Sequence, residues 1–185
     1  MIEFGAGPWT QFRGLLHKRP DLLVRQYTIF EPGADYYVQN VQTCAYRSGK
    51  LEKYRTQGVH SFPVEIISSR GESFTNSESS YDTVISINVI EHVQNAVEYL
   101  HSLHAALRPG GILIFHERFY DTPRSGDAVL GQNIYHPIRL TKLMFDVFLS
   151  DFEIIYNNCD GHNRITGWLK RGADEHGYYV IAKKR

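Results

Sequence analysis

Ile2-Glu3-Phe4-Gly5-Ala6-Gly7-Pro8-Trp9 opens the chain: a short apolar run breaks at two glycines and gives way at once to a helical pattern. A strand that turns on glycine into a helix brings bare backbone N–H groups to the helix start, where an anionic or polar ligand can be held. Trp9, Phe12, Leu15 and Leu16 repeat at helical spacing, and His17, Lys18 and Arg19 load the helix end with favourable charge before Pro20. Trp9 is expected in the core or in a pocket wall. The dinucleotide fingerprint G-x-G-x-x-G asks for a third glycine where this chain has Thr10, so NAD binding loses weight.

A short apolar run followed by an amphipathic segment recurs down the chain, which is the pattern of a parallel sheet flanked by helices. Strands are expected at residues 27–31, 64–68, 82–88 and 112–116. Tyr37, Val38, Val41 and Ala45 share one helical face. Val93, Val97, Leu100, His104 and Leu107 share another, stopped by Arg108-Pro109-Gly110-Gly111. Residues 68–80 read as a Ser/Glu-rich loop and 118–137 as a connection long enough to be functional. Leu140, Leu143, Met144, Val147 and Phe148 mark a last helix. Residues 153–157 and 178–183 are strands with no helix between them, which implies an antiparallel hairpin. Glu31 closes the second strand, where a carboxylate can accept hydrogen bonds from two ribose hydroxyls.

The chain has 185 residues, 42% of them hydrophobic, enough for one domain spanning 1–185 with a substantial core. Twenty basic residues balance twenty acidic ones, so the chain at large has no bias toward nucleic acid or an anionic membrane. Lys170-Arg171 and the tail Lys183-Lys184-Arg185 read as solvating charge. No apolar run approaches the ~20 residues that span a bilayer. Cys44 and Cys159 lack C-x-x-C spacing, which argues against structural zinc or a disulfide framework and for a cytoplasmic setting. His101 and His104 have no third ligand nearby, so no metal is expected.

Five segments, in order, resemble the class I S-adenosylmethionine-dependent methyltransferases, with a type 11-like domain. The E-x-G-x-G loop at Glu3, Gly5 and Gly7 is similar to that family's first motif, and Glu31 to its ribose-binding acid. Tyr81-Asp82-Thr83-Val84-Ile85-Ser86 followed by Asn88-Val89-Ile90-Glu91-His92-Val93 resembles its fourth strand and the loop after it. Leu107-Arg108-Pro109-Gly110-Gly111-Ile112-Leu113 is similar to its L-x-P-G-G turn, and the final hairpin fits as well. The resemblance implies an α/β, Rossmann-like doubly wound sheet of seven strands, mostly parallel, with the last reversed.

The resemblance further implies S-adenosylmethionine as cofactor. Glu3 and the Gly5-Ala6-Gly7 loop would hold its methionine part, Glu31 the ribose, Pro32, Gly33 and Gly71-Glu72-Ser73 the adenine side, and Asn88 and Val89 the methyl end. The acid usual on the adenine side is displaced, because Arg70 and Gly71 stand in its place. Methyl transfer by in-line displacement depends chiefly on positioning, so a base is needed only for acceptors such as hydroxyls. His116 and Glu117 are the catalytic candidates, while His92, Tyr120, Tyr135 and His136 are substrate-binding candidates. Glu91 is expected to cap the following helix. Only Ile2, Glu3 and Phe4 precede the loop, where family members carry one or more helices, so restored upstream residues are expected to raise cofactor affinity.

No N-P-P-Tyr-type element follows the fourth strand, and the net charge is zero, so the expected partner is a small-molecule acceptor rather than nucleic acid or membrane. The alternatives are a non-catalytic methyltransferase-like module and a NAD(P)-dependent oxidoreductase.

Overall fold

The computed structural model describes residues 1–19, 21–47, 62–75, 80–120, 138–158 and 175–185. In chain order the elements are β1 (Ile2–Phe4), α1 (Gln11–Lys18), β2 (Tyr27–Phe30), α2 (Ala34–Asn40), β3 (Val64–Ile67) and β4 (Tyr81–Ile87). They are followed by α3 (Ala96–Ala106), β5 (Leu107–Tyr120), α4 (Lys142–Leu149), β6 (Phe152–Asn158) and β7 (Glu175–Lys184). Single 3₁₀ turns at Gly71–Ser73 and Ile90–His92 follow β3 and β4.

The strands form one sheet in the order β3-β2-β1-β4-β5-β7-β6. β1 runs parallel to β2 and β4, β2 to β3, and β4 to β5. β7 inserts between β5 and β6 and runs antiparallel to both. The α/β sheet with one reversed strand agrees with the sequence reading. With β2 on one side of β1 and β4 on the other, the strand order changes direction at β1, which places a crevice at the carboxyl ends of these strands.

Alternation along the strands divides the core between the two faces. Phe4, Tyr99, Leu103, Phe115, Phe145 and Val180 pack with α3 and α4. Phe12, Leu16, Tyr27, Ile29 and Ala34 pack with α1 and α2, and Phe12 stacks on Tyr27 with ring centroids 4.1 Å apart. Each of the buried phenylalanine, leucine, isoleucine and valine side chains among them contributes about 1.5–3 kcal/mol of transfer free energy.

Boundaries differ from the sequence reading where tertiary contacts outweigh local pattern. α2 ends at Asn40, so Val41 and Ala45 lie beyond it; the Ala45 amide donates instead to the Pro8 carbonyl at 2.7 Å. α3 starts at Ala96 because Asn95 caps it, accepting from the Val97 and Glu98 amides. The helix buries Tyr99, Leu100 and Leu103 and leaves Val97 56% exposed. Val93 precedes α3, and Leu107 already belongs to β5. β5 outruns its expected 112–116 span because β7 pairs with it as far as Tyr120. Residues 118–120 are therefore strand rather than loop. On α4, Phe145 and Leu149 face the core, whereas Leu143 and Val147 lie outside. Trp9 is 61% exposed, neither core nor pocket wall.

Candidate functional site

The turn after β1 needs glycine twice. Gly5 and Gly7 have φ of +67° and +54°, the left-handed region where a β-carbon is strained. A β-carbon on Gly5 would lie 2.5 Å from both γ-methyls of Val89, whereas one on Gly7 would meet nothing within 4 Å. The backbone at Gly5 is thus sealed against the loop after β4, and that at Gly7 faces open space.

Thr10, where the dinucleotide fingerprint has glycine, also has a positive φ of 35°. Its hydroxyl bonds to Glu3 and Tyr27 and accepts from the Phe12 amide at 3.2 Å, contacts that offset the strain. Glu3 accepts from Thr10, Tyr27 and the amides of Gln11 and Phe12. Burial pushes its carboxyl upward against these hydrogen bonds. Its carboxylate is thus directed to the first turn of α1 and not to the crevice. Ala6 packs into the α1-side core.

Glu31, 6% exposed, joins two loops. One carboxylate oxygen accepts from the Gly7 amide at 3.0 Å and the other from the Gly33 amide at 2.8 Å. A carboxylate offers about four lone-pair sites, so each oxygen keeps capacity for one more donor.

The opposite wall forms where the loops after β3 and β4 meet. A β-carbon on Gly71 would lie 2.5 Å from the Tyr99 ring, whose hydroxyl is 2.8 Å from Ser86 Oγ. Glu72 accepts from the amides of Gln94 and Asn95 at 2.6 and 3.3 Å, and Arg70 donates to the Gln94 side chain at 2.6 Å. Ser73 turns back on the Arg70 carbonyl.

Beyond β4, Asn88 takes a φ of +57° and its amide donates to the His116 carbonyl at 2.8 Å. The amides of Val89 and Ile90 donate to Glu117 Oε1 at 2.8 and 3.2 Å. Glu117 is fully buried and its Oε2 meets no donor among the described residues. Burial raises its carboxyl to about 8, only partly countered by the two amides. Glu91 pairs with Arg118 at 3.3 Å instead of capping α3, a role taken by Asn95.

These walls enclose a cleft of about 580 Å³, a size typical of small-molecule sites. Gly5, Gly7, Glu31, Pro32, Gly71, Glu72, Asn88, Val89 and His92 line it, eight cofactor candidates and one substrate candidate. Glu3, Ala6, Ser73, His116, Glu117 and Tyr120 do not. Tyr120 lies in β5 beneath the Arg139 guanidinium, 4.5 Å from its ring centroid, and Tyr135 and His136 fall outside the described residues. Gly33, expected beside the adenine, and Arg70, which stands where the adenine-side acid is expected, also line the cleft, and Tyr37 and Tyr99 line it without having been singled out for it. The Gly33–Tyr37 helical spacing was the available signal, since a β-carbon on Gly33 would touch the Tyr37 ring at 2.9 Å.

A larger hollow of about 1020 Å³ lies around Met1, Gln26 and Tyr81, at the amino ends of the strands. Neither glycine turn nor Glu31 reaches it, and ligands of open α/β sheets bind at the opposite ends. Among the described residues no cluster of three metal-ligating side chains occurs, and no helix is long and apolar enough to cross a membrane.

A family model described as a methyltransferase domain matches residues 3–173. The chain belongs to this family, among the class I S-adenosylmethionine-dependent methyltransferases. No curated protein sequence matches this methyltransferase-domain chain. Its fold is shared with solved structures of low identity. The MccD protein aligns at TM-score 0.66 and 11% identity, covering all of this chain and 89% of that one. The [4+2]-cyclase SpnF aligns at TM-score 0.64 and 14% identity over 99% and 73%. Geranyl diphosphate C-methyltransferase from Streptomyces coelicolor A3(2), solved with Mg²⁺, geranyl diphosphate and S-adenosyl-L-homocysteine, aligns at TM-score 0.62 and 9% identity over 100% and 70%.

Proposed function

We propose that this methyltransferase-domain protein transfers a methyl group from S-adenosylmethionine to a small-molecule acceptor. The observation that carries the reading is the Glu31 carboxylate held 3.0 Å from the Gly7 amide, which brings an acid and an uncovered glycine backbone to one cleft edge. The cleft suits an adenosyl ligand: Gly7 is open, Gly71 lets the Tyr99 ring pack closely against the wall, and Glu31 retains acceptor capacity for ribose hydroxyls.

When bound, S-adenosylmethionine supplies a methyl group already activated on a sulfonium. The chain's part is positioning, a contribution of up to about 7–11 kcal/mol when geometry is preorganised. Gly5 and Gly7 present backbone, Glu31 orients the ribose, Pro32, Gly71 and Glu72 border the adenine, and Asn88 and Val89 wall the methyl end. His116 and Glu117 stand behind that wall and support it. His92 lines the acceptor end and is the base available to a hydroxyl acceptor; an amine needs none. The single unit 1–185 and a cytoplasmic setting complete the reading, the latter supported by the free buried thiol of Cys44.

A cyclase shares this fold, so the direct test is chemical. S-Adenosylmethionine carrying a tritiated methyl group is incubated with the protein and a panel of hydroxyl, amine and thiol metabolites. Label recovered in an acceptor supports the reading. Tight S-adenosylhomocysteine binding without transfer across the panel favours the non-catalytic module.

A further inference from the structure

Glu117 is a wholly buried acid with half its carboxyl unused. Oε1 accepts from the amides of Val89 and Ile90, and Oε2 meets no donor among the described residues. The ionisable neighbours lie on every surrounding element: Glu91 in the 3₁₀ turn, Arg118 in β5, Tyr99 on α3, and Tyr178 paired opposite on β7. Glu91 and Arg118 pair with each other at 3.3 Å, so their fields largely cancel. Tyr99 is bonded to Ser86 and Tyr178 donates to Asp146 at 3.4 Å; His92 sits behind Glu91 at 3.8 Å. No group among the described residues gives Glu117 a dedicated positive partner, and burial favours its neutral form up to about 8.

Val89 connects this acid to the cleft. Its amide rests on Glu117 and its side chain lines the cleft, so a single residue separates the carboxyl from a bound ligand. The two ligands of the proposed reaction, on which this inference rests, differ in charge at sulfur: the methyl donor is a sulfonium and its product a neutral thioether. A cation in the cleft favours the ionised form of a neighbouring acid, and linkage makes the ionised acid favour the cation.

We propose that Glu117 is a buried counter-charge for the sulfonium, releasing its Oε2 proton to solvent when the donor occupies the cleft and retaking one when the neutral product remains. No bond to carbon is made or broken at Glu117; it acts as a positioning residue through charge and through its hold on Val89 and Ile90. The consequence is a cleft that discriminates donor from product as pH rises.

Titration calorimetry with S-adenosylmethionine and with S-adenosylhomocysteine, near neutral pH in two buffers of different ionisation enthalpy, reads the proton directly. Proton release and affinities are both corrected for the ligands' own amino groups, titrated free in the same buffers, because the sulfonium charge lowers the pKa of the donor's amine and the neutral thioether does not. The sulfonium should release a substantial fraction of one proton more than the thioether. The ratio of their affinities should move about tenfold in favour of the sulfonium between about pH 6.5 and 9, one pKa unit of coupling. Glu117→Gln should abolish both differences. Equal proton release and a ratio independent of pH in the unmodified protein overturn the counter-charge role while leaving the methyltransferase reading intact. Failure of both ligands to bind removes the reading and this inference together.

Discussion

The two γ-methyls of Val89 stand 2.5 Å from where a β-carbon on Gly5 would be, so the glycine turn and the loop after β4 are in contact through the one position where no side chain fits. Gly7, two residues on, faces open space. The two glycines should therefore fail differently. Gly5→Ala must displace Val89 and adopt a φ of +67°, and should lower the melting temperature as well as remove S-adenosylhomocysteine binding. Gly7→Ala carries only the strain of φ +54°, about 1 kcal/mol, and should melt close to the parent while binding at least tenfold more weakly. Thermal melts with and without ligand separate the two; equal melting temperatures would count against the Val89 contact.

Glu31→Ala removes the acceptor for two amides and the proposed partner of the ribose. Loss of charged hydrogen bonds of this kind costs about 1.5–3 kcal/mol, a roughly 10- to 150-fold weaker S-adenosylhomocysteine affinity by calorimetry. Unchanged affinity would show that the carboxylate serves only the two loops.

Glu117 gives the fold a pH dependence of definite sign. Its carboxyl titrates near 8 in the native state, against an ordinary value of 4.5. Between these values the native protein holds a proton that the unfolded chain has released, so stability falls as pH rises, by at most about 1.4 kcal/mol per unit, and levels off above the native value. Urea melts across this range should show the decline, and Glu117→Gln should flatten it. A decline that persists in Glu117→Gln would point to other groups.

Thr10→Ala keeps the strained φ of 35° and strips Glu3 and Tyr27 of a buried partner. With the loss of the α1 cap included, destabilisation of about 2 kcal/mol is expected from chemical denaturation. Thr10→Gly, which relieves the strain, should recover part of it; if both variants are equally stable, backbone strain contributes nothing here.

The sheet was legible because strand identity follows from short-range pattern. Each of the seven apolar runs carries its own period and its own breakers, and Gly5 and Gly7 mark the crevice by a backbone requirement local to one turn. Element ends were not legible: Asn95 caps α3 and β7 prolongs β5, both through partners whose position the pattern does not encode. Side-chain destination was equally hidden. Glu3 lies within the first apolar run and Glu31 ends the second, carboxylates of the same chemistry, yet one is spent on the first turn of α1 and the other bridges two loops at the cleft. Strand alternation sends neighbouring residues to opposite faces, and only the packing of α1 decides which carboxylate is consumed. Glu117 makes the same point from burial: sequence supplies an acid at the end of an apolar run, but its neutral form near pH 7 results from the elements that close around it and exclude water.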